Sequence, residues 1–166
     1  MPAFERFVAD YDAAGIEDQP PDAVRALAAG ADRLVASDLR RAVESAERVS
    51  GGRQFETTPL LRECPVAMPR VRVPLPVDVW DAIGNALWVA RRLTGADAQG
   101  VLSRAESAAD WLVERAGAAR SLFVVTHGTF RLMLSRALAR RGIALTAGGI
   151  DLRNWSVWSH RTCLHA

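Results

Sequence analysis

Ser121-Leu122-Phe123-Val124-Val125-Thr126-His127-Gly128-Thr129 is a run of apolar, strand-forming residues that ends in a histidine and passes at once into a helix-start signal. Branched and aromatic side chains suit a pleated, buried surface. The periodicity from Phe130 to Arg141 is helical. The stretch therefore predicts a strand feeding a helix, with His127 at the strand mouth. In an open α/β sheet, ligands bind in the crevice outside the carboxyl ends of the strands, where the next helix presents its free backbone N–H groups. That location suits an anion. Taken alone, the junction serves a satisfied structural histidine equally well.

The helix expected over 130–141 carries Arg131, Arg136, Arg140 and Arg141, and no acidic residue occurs between Glu114 and Asp151. A helix N-terminus bears roughly half a positive charge, so Arg131 in the first turn is unfavourable unless it faces solvent or an anion compensates. A solvated side chain is the plain reading.

Working outward, Arg33–Ala36 is a second short apolar run, between Gly30 and Ser37, and 38–49 returns to helical periodicity. This makes another strand-to-helix junction. Phe4, Phe7, Val8 and Tyr11 recur at helical spacing before Gly15, and 22–29 reads as a further helix. Pro65, Pro69, Pro74 and Pro76 fall within 64–78, which excludes a regular helix or central strand and predicts a long loop. Residues 78–93 and 99–115 read as helices with apolar faces, and 156–160 as a last strand, because Trp155, Val157 and Trp158 favour extended structure. The order predicts an α/β three-layer sandwich with a mainly parallel sheet flanked by helices. No internal repeat divides the chain, so residues 1–166 are expected to form one domain.

The totals narrow the function classes. The sequence has 166 residues and a net charge of +2, and all 21 of its basic residues are arginine. With no lysine, a lysine nucleophile and a Walker-type phosphate loop are both excluded. The arginines are interleaved with acids through the first two thirds, which gives no nucleic-acid footprint. Cys64 and Cys163 lie far apart with no CxxC, which points to a reduced, cytoplasmic setting. No apolar run reaches the roughly 18 residues needed to cross a bilayer, so no membrane partner is expected. Three scattered histidines without paired carboxylates give no metal-ligand spacing.

Three segments matter together: Ser37-Asp38-Leu39-Arg40-Arg41-Ala42 at the first junction, Leu61-Arg62-Glu63 after a turn, and Val125-Thr126-His127-Gly128 at the second. In order and spacing the chain resembles the histidine phosphatase superfamily, with its phosphoglycerate mutase-like fold, over nearly its whole length. The resemblance implies metal-independent phosphomonoester hydrolysis through a phosphohistidine, with no cofactor. It implies that Arg41 binds phosphate, that His127 donates to a phosphate oxygen, and that the N–H groups of Gly128 and Thr129 add to the pocket. Glu63 would protonate the leaving oxygen. The competing readings are a surface arginine at 41 and a surface loop glutamate at 63; Arg40 falls where the family varies and is assigned to solvent.

The family's hallmark, a strand ending in Arg-His-Gly with the nucleophilic histidine, has no counterpart in this sequence, whose histidines are His127, His160 and His165. The first strand is therefore expected to be missing and the chain to be N-terminally truncated and inactive as it stands. The alternative is a pseudoenzyme that binds a phosphorylated small molecule, phosphate or a partner through Arg41 and His127 without turnover. A missing central strand leaves unpaired edges, which predicts self-association as a homodimer.

Overall fold

The computed structural model describes residues 14–64, 98–117, 119–149 and 151–163. The helix expected near the start, the proline-rich loop from 65 onward, the helix expected over 78–93 and His165 lie outside these residues.

Helix α1 (Asp22–Gly30) starts after Pro21, whose carbonyl accepts from the amides of Val24 and Arg25 at 2.9 and 3.1 Å. Strand β1 (Arg33–Ser37) follows, then helix α2 (Arg40–Ser50). Ala42, Ala46 and Val49 recur at helical spacing and form its buried face, and Gly51 ends it in the left-handed region at φ 61°. Strand β2 (Glu56–Thr58) runs into a 3-10 turn, Pro59–Leu61. Helix α3 (Ala98–Ala116) buries Ala105, Ala108, Ala109 and Leu112. Strand β3 (Leu122–Val125) leads to helix α4 (Gly128–Ala139), and strands β4 (Ile143–Ala147) and β5 (Ser159–Thr162) close the chain.

The main sheet has the order β2-β1-β3 and is parallel throughout. Side-chain alternation along β1 sorts the core into two layers. Val35 packs with Leu61, Phe130, Met133, Leu134 and the alanine face of α3 on one side. Leu34 and Ala36 pack with Val24, Ala28, Ala46 and Val49 of α1 and α2 on the other. Helices therefore cover both faces, the expected three-layer α/β arrangement with a parallel sheet.

β4 and β5 form a separate antiparallel pair, with Ile143 opposite Thr162 and an irregularity between Leu145 and Ala147. One expectation shifts here. The last strand occupies 159–162 rather than 156–160, because Trp155 sits in a turn at φ 60° and its indole Nε1 donates to Asp18 Oδ2 at 3.2 Å. Strand propensity is a statement about packing on a pleated surface, and a tertiary hydrogen bond overrides it. β2 and β4 had no sequence signal: the first is three residues long, and the second has an exposed carboxyl half.

Candidate active site

Register brings the three segments to one edge. Ala36 pairs with Val125, so Ser37 and Thr126-His127 leave the sheet side by side. Ser37 pairs with Thr58, so the turn that follows β2 delivers Glu63 to the same edge.

His127 is buried, with extended backbone at the head of α4, and its Nε2 lies 2.9 Å from Ser37 Oγ. Ser37 Oγ also accepts from the amide of Leu39 at 3.3 Å, a local hydroxyl turn that guides the chain into α2. Thr126 Oγ1 donates to Leu61 O at 2.9 Å and ties the end of β3 to the Glu63 segment.

Glu63 does more than occupy a loop. Its Oε1 accepts from the amide of its neighbour Cys64 at 2.8 Å and from the amide of Phe130 at 2.9 Å, and the Thr129 amide adds to the set. The carboxylate therefore rests on the positive end of α4, the role an N-terminal anion fills. Burial raises the Glu63 pKa above the ordinary carboxylate value, against the lowering pull of the amides of Cys64, Phe130 and Thr129 and of the Arg41 charge. A carboxyl in that state can carry a proton and release it to a nearby oxygen. Cys64 beside it is buried, and its thiol is pushed up to about 12, chiefly by desolvation and then by the Glu63 charge, so it stays a thiol.

Arg41, on the first turn of α2, is half-buried and acts electrostatically on Glu63. Arg40 turns outward and pairs with Glu44 at 2.7 Å, its side chain 66% exposed, as assigned. Arg131 is not solvated. Its guanidinium donates to Ser156 O and Asp151 O, both at 2.7 Å, and to Ser156 Oγ at 2.9 Å, and it stacks 4.5 Å from the Trp158 ring centre. Backbone carbonyls from a distant loop thus supply the negative partners that a helix N-terminus denies it.

Two residues that the sequence did not single out complete the frame. Arg104 of α3 donates to Arg62 O at 2.8 Å and Glu63 O at 3.0 Å, with its guanidinium 4.6 Å from the Phe130 ring centre. Arg62 in turn grips Asp38 through two bonds of 2.7 Å, clamping the second segment to the first. The Arg62–Asp38 signal lay within the motifs, whereas nothing near position 104 pointed to a partner 41 residues away. His160 of β5 pairs instead with Ser135, its Nε2 2.9 Å from the hydroxyl, and burial with the nearby Arg131 charge lowers its pKa. Among the described residues, no group of three or more His, Cys, Asp or Glu side chains has metal-binding geometry.

A basic helix start, a histidine at the mouth of a parallel strand and a buried carboxyl against the start of the next helix thus meet at one edge of the sheet. The chain belongs to the histidine phosphatase superfamily (branch 1), whose family model matches residues 17–160. No curated protein and no solved structure matches it.

Proposed function

We propose that this edge binds the phosphoryl group of a phosphorylated small molecule, or phosphate itself, through Arg41, His127 and the backbone N–H of Gly128; the Thr129 amide, expected to join them, is taken by Glu63. Metal- and cofactor-independent hydrolysis of a phosphomonoester then belongs to a form that also supplies the Arg-His-Gly strand of the family. The sequence contains no such motif. Removal of a nucleophile from a unit of this kind costs on the order of a million-fold in turnover.

The observation that carries the reading is the carboxyl group of Glu63, buried with a raised pKa on the N-terminus of α4, within the field of Arg41. Transfer of a phosphoryl group spreads charge over three oxygens, so it calls for fixed cations and aligned amides. The leaving oxygen calls for a proton, and Glu63 is the group suited to provide it.

The alternative, a binder without turnover, draws on the same Arg41 and His127. We place the protein in the cytoplasm, in keeping with its free cysteines and with the lack of a membrane-length apolar helix among the described residues. Self-association as a homodimer is part of the proposal, and a concentration-independent monomer on size-exclusion chromatography removes that part.

Fusing an Arg-His-Gly-bearing strand ahead of Met1 separates the two readings. Turnover of a phosphomonoester panel, lost on Arg41→Ala or His127→Ala, supports the phosphatase; a folded fusion that binds vanadate without turnover leaves the binder.

A further inference from the structure

Ser37 is fully buried at 0% exposure, and among the described residues its hydroxyl has two polar neighbours, the Leu39 amide at 3.3 Å and His127 Nε2 at 2.9 Å. The Leu39 amide is a donor and fills one lone pair of Oγ. A hydroxyl also carries one proton that needs an acceptor, and an unpaired buried donor is costly. Among the described residues, the ring nitrogen is the one acceptor hydrogen-bonded to it. Were Nε2 protonated, Oγ would accept twice while its own proton pointed at no partner.

We infer that Ser37 is a positioning residue that donates to Nε2 of His127 and thereby fixes the imidazole in the tautomer with its proton on Nδ1. A neutral imidazole donates from one nitrogen and accepts at the other, and the partner of one nitrogen decides the role of the other. Ser37 therefore selects Nδ1 as the donor of His127. The consequence for ligand affinity rests on the reading of His127 as an anion ligand; the tautomer itself does not.

Ser37 is well placed for this. It is the last residue of β1, its side chain shares the sheet face of Val35, and register sets it beside Thr126-His127. The local turn with Leu39 orients the hydroxyl from its own chain, so its position does not depend on His127.

The test uses the full 166-residue chain with nitrogen-15-labelled histidine, observed by long-range proton–nitrogen NMR at a pH about two units above the ordinary histidine pKa of about 6.5. His160→Gln and His165→Gln variants assign the His127 signals. The expected spectrum shows Nε2 as the unprotonated nitrogen and Nδ1 as the protonated one, and Ser37→Ala shifts the population towards the opposite tautomer. A protonated Nε2 in the unmodified chain overturns the inference, as does a folded Ser37→Ala with an unchanged tautomer. If Ser37→Ala does not fold, the spectrum of the unmodified chain still decides.

Vanadate titration reads the dependent step. Ser37→Ala is expected to bind about fivefold more weakly, the effect of one ordinary hydrogen bond. A chain with the expected tautomer and no vanadate binding leaves the role of Ser37 intact and removes the anion reading of the site.

Discussion

The two strand-to-helix junctions sit side by side at the same edge of one parallel sheet, yet they are closed in opposite ways. At β1→α2 the hydroxyl of Ser37 accepts from Leu39 two residues later, and the helix opens on Arg40 and Arg41 with no acidic residue in its first turn. At β3→α4 the amides of Thr129 and Phe130 turn to Glu63, more than sixty residues back in the chain, and Thr126 binds Leu61 O. The first junction turns into its helix on a hydroxyl of its own segment and presents positive charge. The second is completed by a visiting carboxylate, so its geometry depends on the packing that brings β2 and its turn to the edge.

That difference predicts where the molecule breaks. The largest effect is expected from Phe130→Ala, since Phe130 is fully buried in the cluster that joins α4 to Leu61 and α3. Truncation of a core aromatic of this kind costs about 3–5 kcal/mol, read as a lower denaturant midpoint in equilibrium unfolding. A loss below about 1 kcal/mol would mean that the second junction does not depend on its core.

Arg131→Ala comes next. Hydrogen bonds to a charged group contribute about 1.5–3 kcal/mol, and this guanidinium holds Asp151 O, Ser156 O and Ser156 Oγ together. The expected result is a loss of that order, with hydrogen exchange accelerated across 151–158 and unchanged across 33–37. Uniform acceleration of both segments would erase the distinction between the junctions.

Glu63→Gln tests the visiting carboxylate through pH. Burial raises the folded-state pKa of Glu63, so the folded state holds a proton that the unfolded state has released in the window above the ordinary value. The contribution of this group is thus fully present below its unfolded pKa and is lost as pH rises through the folded one. Glu63→Gln keeps an acceptor for the amides and removes the titration. Urea midpoints measured upward from about pH 4.3 should fall less steeply in the variant than in the unmodified chain. Equal slopes would contradict the assignment.

The smallest effect belongs to Asp38→Ala. Its partner Arg62 has a side chain 50% exposed, and pairs of that kind contribute at most about 1 kcal/mol, less at high salt. A larger loss would show that the clamp between the first two segments, rather than the core, holds the edge together.

Legibility in the sequence follows the same division. β1 was readable as a short apolar run, and α1, α3 and α4 from periodicity, because Val24 and Ala28, the Ala105–Leu112 face and the Phe130–Leu138 face repeat at helical spacing. The Ser37 and His127 segments were readable because each is local, a strand end followed by a helix start. Arg131 was misread as solvated, since its carbonyl partners lie 20 and 25 residues away. Arg104 carried no signal for the same reason, and Trp155 was taken as extended because its bond to Asp18 spans 137 residues. Propensity and spacing report on neighbours in the chain, and these residues are placed by neighbours in space.

In the proposed function, the first junction supplies the cation and the second the histidine for one phosphoryl site. Calorimetric titration of the intact chain with vanadate at neutral pH tests it most directly. One saturable site per chain is expected, weakened at least tenfold by Arg41→Ala and by His127→Ala and left unchanged by Arg40→Ala. No binding, or equal binding by all three variants, would contradict it.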